Sequence, residues 1–520
     1  MTRRAVDATI IAVVGAIALA QSWMRWLDPI VDTGRDLYIP EQLAHGVKLY
    51  RDILYFYPPL TPYLLAAVTA VIGHSIASYV AIGIAIAGAT AAVIYVLTAR
   101  VANDVAALTA TATFAACSIA GQSTWGTNYI FPYAHAATLA MLFFVAMAAA
   151  LVMRSMPLAV LFAVAATWTK VEYAAFTIIV LLVARIGWRW LLSYFALNAV
   201  VFAFVSFVFR DCDWLHGNVL PDAMRNSPAL RLFYSSVAGF DDWPALLARC
   251  ALGALLLIGI ALLLRRGLVL IAGVLAAAIG AAGYFFQPWA LLQIALIPFA
   301  IKRRGDPLAV LLAASLCASS RVFFHLTPIW YGFVFIVPLY ALAAYVLFAF
   351  LPRNGVYSER ASCAWIAAFA GAALHSLLLA HNAYALKTFP IATPRGTIYD
   401  ANPDRAALLN QLGGSGLKSL VVVPEGLAIN YLFEIPTPIS TYTFTPAESA
   451  DARAEDRILR EFQMKKPEWI AVVPRDMREF GSRGFGADYD QRLLAYLRAN
   501  YTVAASWRRE HWWLLITKRR

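Results

Sequence analysis

Long apolar segments recur along the first three quarters of the chain and then stop. Runs of about 20 apolar residues, the length needed to cross a hydrocarbon core of about 30 Å, repeat from the N-terminus to about residue 380. Short polar or basic segments separate these runs. The pattern predicts an α-helical polytopic membrane domain over residues 1–380 and a different kind of domain over residues 381–520.

Basic clusters between the apolar runs predict the orientation of the helices. Arg3-Arg4, Arg265-Arg266 and Lys302-Arg303-Arg304 are examples, and cytoplasmic loops of membrane proteins are enriched in Lys and Arg. All of the clusters fall on the cytoplasmic side only if residues 58–73 form a juxtamembrane helix that does not cross the membrane. The chain then has about 13 spans, a cytoplasmic N-terminus and an external C-terminal domain. The predicted spans cover residues 10–26, 77–99, 104–120, 134–152, 157–169, 173–186, 190–209, 244–264, 267–286, 288–301, 306–322, 328–350 and 361–380.

The composition agrees with a membrane protein. Hydrophobic residues make up 61% of the chain and charged residues 14%, whereas a soluble domain is about 25% charged. The net charge of +12 does not indicate nucleic-acid binding, because the basic residues lie largely between apolar runs and act there as topology signals. We therefore expect membrane lipids as the surroundings and no nucleic-acid partner.

The last 140 residues alternate helix-like and strand-like segments. Helical patterns cover residues 403–412, 452–464 and 489–500, and short β-like runs cover residues 419–423, 469–473, 501–506 and 512–517. This alternation predicts a small α/β domain.

The first loop, residues 28–73, has the most characteristic sequence. Asp32 comes directly after the first span, an amphipathic segment then runs to Gly46, and the turn Leu49-Tyr50-Arg51-Asp52 precedes a helix that starts at Tyr57-Pro58-Pro59-Leu60. This combination resembles the GT-C glycosyltransferase superfamily, which includes protein O-mannosyltransferases and the aminoarabinose transferase. The resemblance covers roughly residues 1–190 in architecture, and its specific motif covers residues 32–60.

The resemblance implies a sugar donor on a polyprenyl phosphate and an acidic residue that acts on the acceptor hydroxyl. Asp32 matches that acid, and a carboxylate that accepts the hydroxyl proton contributes about 10²–10⁴-fold to a rate. Some relatives carry a second acid in the next external loop, but residues 121–133 contain no carboxylate. We therefore assign no metal site and no cofactor, and the involvement of a divalent metal stays open.

Asp36 is the alternative to Asp32, because residues four apart lie on one face of a helix. An Asp that precedes a segment with apolar residues at helical spacing is also typical of a helix N-cap. Both residues remain catalytic candidates. Asp32 fits the role of general base better, and Asp36 fits the role of helix N-cap better.

Lys170 and Arg321 lie at the predicted external ends of spans, where basic residues are less common. A lipid phosphate at this interface would explain them, because Arg holds phosphate oxygens bidentately and Lys supplies a point charge. Arg35 could join them from the first loop. The alternative for each is a side chain that reaches the lipid head groups.

Three further side chains are candidates for substrate contact because of their neighbours. Glu172 could pair with Lys170, and His325 follows Arg321. Tyr57 could stack on a sugar ring, although aromatic residues near span ends more often anchor the chain at the interface.

The resemblance therefore implies an inverting glycosyltransferase in a bacterial inner membrane. It would move a sugar from a polyprenyl-phosphate donor to an external acceptor, which could be a glycan, a lipid or a protein. The alternatives are a lipid-linked sugar transporter or flippase and a non-catalytic membrane scaffold. Transporters commonly contain internal repeats, and no clear repeat is present in this sequence.

Overall fold

In the computed structural model, which describes residues 3–121, 127–221, 224, 227–449 and 452–520, each predicted span contains a helix. The first nine helices are α1 (Arg3–Ser22), α2 (Gly34–Ala44), α3 (Leu60–Ile72), α4 (Ile76–Val101), α5 (Asp104–Phe114), α6 (His135–Val152), α7 (Met156–Thr169), α8 (Tyr173–Val183) and α9 (Trp188–Val208). The longer helices that follow are α10 (Pro228–Ala238), α11 (Trp243–Arg265), α12 (Val269–Ala281), α13 (Trp289–Lys302), α14 (Pro307–Ser319), α15 (Val337–Tyr345) and α16 (Trp365–Ala385), with the short helices Gly332–Phe335 and Leu351–Arg353 on either side of α15.

Side-chain caps define where several helices begin. The Ser75 hydroxyl accepts the backbone N–H of Ser78 at the start of α4, and the Asn103 amide oxygen accepts the N–H of Ala106 at the start of α5. Such caps satisfy N–H groups that have no partner within the helix.

The first helix differs from the predicted span 10–26, because α1 begins at Arg3 and ends at Ser22.

Long apolar helices account for much of the membrane domain. Among the described residues, six helical segments have at least 18 residues and enough apolar character to cross a membrane: α1, α4, α6, α9, α11 together with the preceding α10, and α16 with the turn before it. Eight shorter apolar helical segments accompany them, and α3 is one of these. The 13 residues of α3 fall within the predicted juxtamembrane segment and measure about 20 Å along the helix axis.

The helices differ in how much of their surface is buried. Most of α6 is buried against α4, α7 and α14, so α6 lies in the core of the bundle. In contrast, Tyr194 and Val205 are the buried residues of the 21-residue α9, and Phe204 and Phe207 are exposed. An apolar helix with apolar side chains on its exposed faces is typical of contact with lipid.

The C-terminal domain contains two sheets, and its four-stranded sheet is mixed. Strands β1 (Phe389–Thr393) and β2 (Gly396–Asp400) form an antiparallel pair. The larger sheet has the order β3 (Val421–Val423), β4 (Trp469–Val472), β6 (Trp513–Arg519) and β5 (Tyr501–Arg508), with β3 parallel to β4 and the other pairs antiparallel. Its helices are α17 (Pro403–Gly413), α18 (Leu427–Leu432), α19 (Ala452–Lys465) and α20 (Gln491–Asn500). Each predicted element is present, whereas the β1–β2 pair and α18 were not predicted.

The C-terminal domain packs on the first loop through ion pairs. Arg405 contacts Asp400 at 2.7 Å and Asp28 at 3.2 Å, and Arg395 pairs with Glu41 of α2. Backbone contacts accompany the ion pairs, such as the N–H of Leu54 that donates to the carbonyl of Ser440 at 3.1 Å. The first loop is therefore held between the membrane helices and the C-terminal domain.

Gly34, at the start of α2, allows the closest approach between the first loop and the C-terminal domain. A Cβ atom at this position would lie 2.1 Å from the backbone nitrogen of Ala428 in α18. Real Cβ atoms do not come this close to backbone, so any larger side chain would push α2 and α18 apart.

We expect Gly34→Ala to lower the free energy of unfolding by about 1–3 kcal/mol, the usual cost of overpacking. Thermal unfolding of the purified protein in detergent, followed by tryptophan fluorescence, measures the effect. Gly88→Ala is the matched control, because a Cβ atom there would meet no other group within 4 Å. Equal melting temperatures for the two variants would contradict this account of the interface.

Candidate functional site

A cavity of about 480 Å³ lies where the first loop, the ends of the membrane helices and the C-terminal domain meet. The first loop contributes Asp32, Arg35 and Tyr57 to its lining, and the ends of α7 and α14 contribute Lys170 and Arg321. Helix α10, residues within 219–221 and 330–335, and the C-terminal domain also contribute to its walls. Glu172 also lines the cavity, so six of the eight predicted site residues lie around it.

Asp32 lies in a turn that other side chains hold in place. The Asp28 carboxylate accepts the N–H groups of Ile30 at 2.8 Å and Val31 at 3.2 Å, which tightens the chain just before Asp32. Asp32 itself has a φ of 60°, in the left-handed region that few non-glycine residues adopt. Its Oδ1 lies 3.5 Å from the Arg35 guanidinium, and 29% of its side chain is exposed.

Two tyrosines connect the Asp32 region to Lys170. The Arg35 guanidinium lies 5.0 Å from the centre of the Tyr57 ring, and the Lys170 ammonium lies 5.7 Å from the same ring. Arg35 also donates to the Tyr133 carbonyl at 3.3 Å, while Lys170 donates to the Tyr133 hydroxyl at 3.5 Å. The faces of aromatic rings attract cations at these distances.

Lys170, Glu172 and Arg321 form a second charged group in the cavity. The Lys170 ammonium contacts the Glu172 carboxylate at 2.6 Å, as the sequence predicted. Arg321 stacks on the Tyr234 ring of α10 with its guanidinium 4.3 Å from the ring centre. Two cations and one carboxylate leave an excess of one positive charge among the described residues of this group, which favours an anionic ligand.

The C-terminal domain adds carboxylates that the sequence did not identify. Glu425 follows β3 and pairs with Arg475 at 2.9 Å, and Arg475 also pairs with Glu479. All three line the cavity together with Glu448. Nothing local in the sequence around Glu425 or Glu479 indicates that these residues reach the first loop.

Burial raises the pKa of three carboxyl groups that line the cavity, those of Asp32, Glu448 and Glu479. Burial raises the pKa of Asp32 to about 6, which Arg35 opposes and the negative charge of Glu425 assists. Burial also raises the pKa of Glu448 to about 7. A carboxylate with a pKa near 6 is ionised at neutral pH and is a stronger base than an ordinary aspartate.

Asp36 does not line the cavity, and this corrects its place among the catalytic candidates. The residue is buried, and its carboxylate accepts the backbone N–H of His135, the first residue of α6. The N-cap residue of its own helix α2 is Thr33, and no side chain caps that helix. The prediction that Asp36 caps the helix following it is therefore wrong: Asp36 lies inside α2, and its carboxylate instead caps α6, which begins 99 residues further along the chain.

His325 also lies outside the cavity lining. Its Nδ1 is 3.3 Å from the carbonyl of Val237, near the C-terminal end of α10, so the ring contacts backbone there. This corrects the interpretation of His325 as a substrate contact. Among the described residues, no group of three or more His, Cys, Asp or Glu side chains is arranged to hold a metal ion.

The helical bundle and the attached sheet domain define a multi-pass membrane protein, and its fold occurs in solved structures. The structure of ArnT from Cupriavidus metallidurans bound to undecaprenyl phosphate is 12% identical, with a TM-score of 0.56, over 99% of this chain and 98% of ArnT. The archaeal oligosaccharyltransferase AglB from Archaeoglobus fulgidus, in complex with an inhibitory peptide and a dolichol-phosphate, is 12% identical, with a TM-score of 0.51. That match covers 91% of this chain and 70% of AglB.

These two structures share their overall fold with this chain, as the resemblance of the first loop implied, whereas the number of 13 spans stays a prediction. At this level of identity the likeness establishes the fold. No protein-family model and no curated protein sequence matches the chain.

We expect the Asp32 carboxyl to titrate with a midpoint near pH 6 instead of the ordinary value of 3.8. Infrared difference spectra between the wild-type protein and Asp32→Asn isolate the protonated-carboxyl band of this residue, and its intensity is followed against pH. A midpoint near pH 4 would contradict the buried environment that the cavity gives Asp32.

Proposed function

We propose that the chain is a membrane glycosyltransferase of the GT-C type. In this proposal it transfers a sugar from a polyprenyl-phosphate donor to an acceptor hydroxyl, with inversion at the sugar's C1. The observation that carries the proposal is the meeting of Asp32, Lys170 and Arg321 in one cavity at the end of the apolar helices. The base and the phosphate-binding cations that such a reaction needs are both available there.

In the proposed reaction, the acceptor oxygen attacks C1 while the bond from C1 to the phosphate oxygen breaks. Asp32 accepts the proton of the attacking hydroxyl, and the polyprenyl phosphate leaves with the bonding electrons. A single displacement of this kind inverts the configuration at C1. Because the phosphate leaves as an anion, the reaction needs one base and no acid for the leaving group.

Lys170 and Arg321 are the proposed ligands of the donor phosphate, and Arg35 lies beside the proposed base, 3.5 Å from Asp32. The excess positive charge of the group formed by Lys170, Glu172 and Arg321 supports this assignment, since phosphate would neutralise it. Tyr57 contacts both Arg35 and Lys170, which suggests a place for the sugar beside its ring.

The proposed location is a bacterial inner membrane, with the N-terminus in the cytoplasm and residues 381–520 in the periplasm. The basic clusters support this orientation, because they would then face the cytoplasm. The cavity would open at the outer leaflet, where a donor carried by a lipid can enter from the membrane. The C-terminal domain would cover the site on its aqueous side and receive the acceptor.

We expect Asp32→Asn to lower turnover by about 10²–10⁴-fold, because the amide cannot accept the hydroxyl proton. Transfer from an undecaprenyl-phosphate sugar by the purified protein measures the rate, and binding of undecaprenyl phosphate is the control for folding. In the wild type the rate should fall as the pH drops through about 6, where Asp32 becomes protonated, and stay level above it. Near-normal turnover of Asp32→Asn would remove this residue from the mechanism.

We expect Arg321→Gln and Lys170→Met each to weaken binding of undecaprenyl phosphate by about tenfold to a hundredfold, the value of a hydrogen bond to a charged group. Isothermal titration with the protein in nanodiscs measures the dissociation constant. The control is Arg51→Gln, because Arg51 is exposed, contacts Asp52 at 2.7 Å and lies outside the cavity lining. Unchanged affinity in both cavity variants would refute the phosphate assignment.

The two alternatives give different results in the same assays. A transporter or flippase would move a lipid-linked sugar between leaflets of a vesicle without forming a new glycosidic bond. A non-catalytic scaffold would neither bind undecaprenyl phosphate nor be stabilised by it.

A further inference from the structure

The backbone of Asp32 is held by a side chain from the other end of the protein. The Asp32 N–H donates to Oε1 of Glu425 at 2.8 Å. Glu425 belongs to the C-terminal domain and lies 393 positions further along the chain. This bond holds Asp32 in a left-handed backbone conformation that few non-glycine residues adopt.

Glu425 is itself held firmly on both its backbone and its side chain. Its backbone forms an isolated β-bridge with Thr443, and its Oε2 accepts from Nε of Arg475 at 2.9 Å. Arg475 also bonds Glu479, and only 5% of the Arg475 side chain is exposed. A carboxylate fixed at both oxygens makes a rigid support for the turn that it contacts.

The carboxylate of Glu425 also places a negative charge next to the Asp32 side chain. Among the described residues, the charged groups that affect Asp32 most are Arg35 on its own loop and Glu425, Arg475 and Glu479 on the C-terminal domain, and the hydroxyls of Tyr133 and Tyr331 also face it. Arg35 and Arg475 favour the ionised form of Asp32, whereas Glu425 and Glu479 favour the protonated form. Removing the charge of Glu425 should therefore make Asp32 a weaker base.

We propose that Glu425 is a positioning residue for Asp32: it holds the backbone of the base through its N–H and sets a negative charge beside the base. The inference rests on the proposed function, in which Asp32 accepts the acceptor proton. With Glu425 in this role, the C-terminal domain covers the cavity and also contributes a residue to the reaction centre.

Two substitutions at Glu425 separate the hydrogen bond from the charge. Glu425→Gln removes the charge and keeps one oxygen that can accept the Asp32 N–H, with its amide nitrogen then facing Arg475 in place of Oε2. Glu425→Ala removes both. The matched control is Glu468→Gln, which removes the same charge from an exposed ion pair with Lys518 in the same domain.

Glu425→Gln should move the titration midpoint of Asp32 down by about one pH unit, as expected for the loss of a neighbouring like charge. The difference spectrum between Glu425→Gln and Glu425→Gln/Asp32→Asn isolates this midpoint. The acid limb of the pH–rate profile should shift in the same direction, with a fall in kcat of about tenfold or less.

Glu425→Ala should lower kcat by about 10²-fold, because a displaced base loses its alignment with the acceptor. The KM for the undecaprenyl-phosphate sugar should stay within about twofold of the wild type, since the phosphate ligands are elsewhere. Glu468→Gln should change neither the Asp32 midpoint nor kcat.

The outcomes separate this inference from the proposed function. An unshifted Asp32 midpoint in Glu425→Gln, or an unchanged kcat in Glu425→Ala, overturns the positioning role while transfer by the wild type remains. A wild type that binds undecaprenyl phosphate but transfers no sugar overturns the catalytic part of the inference together with the proposed function. The infrared titration, which needs no turnover, then still tests whether Glu425 sets the charge state of Asp32.

Discussion

Charged groups withdrawn from water constrain the junction between the membrane helices and the C-terminal domain. Lys170 is buried at the end of an apolar helix, and a buried charge is costly unless it is paired. Glu172 pairs with it, and the rings of Tyr57 and Tyr133 lie within about 6 Å of its ammonium. The residues that satisfy this charge come from the first loop and from two helix ends, so they meet at one place.

The first loop depends on partners that lie beyond the membrane domain. Asp28 pairs with Arg405, and Gly34 packs directly on the backbone of Ala428. A loop of this length would have many conformations if it were surrounded only by water, and ordering its backbone costs about 1–2 kcal/mol per residue. The C-terminal domain thus provides contacts that offset this cost and that hold Asp32 at the cavity.

The charges in the cavity are not evenly distributed. Lys170 and Arg321 carry an excess of positive charge at the ends of the membrane helices, whereas Glu425, Glu448 and Glu479 come from the C-terminal domain. The proposed reaction would use this difference. A lipid phosphate would be held at the cations, and the proton of an incoming hydroxyl would pass to a carboxylate on the side from which the acceptor arrives.

The sequence by itself determined the class of the fold and most of its helices and strands, apart from the β1–β2 pair and α18, whereas tertiary structure decided which residues meet. Helical and strand periods and the length of an apolar run are local properties, so each predicted span and each predicted tail element could be placed from neighbouring residues. The cap that Asp36 makes on α6 and the bond between Asp32 and Glu425 join residues 99 and 393 positions apart. Such pairs depend on how whole elements pack together, and no local period encodes that packing.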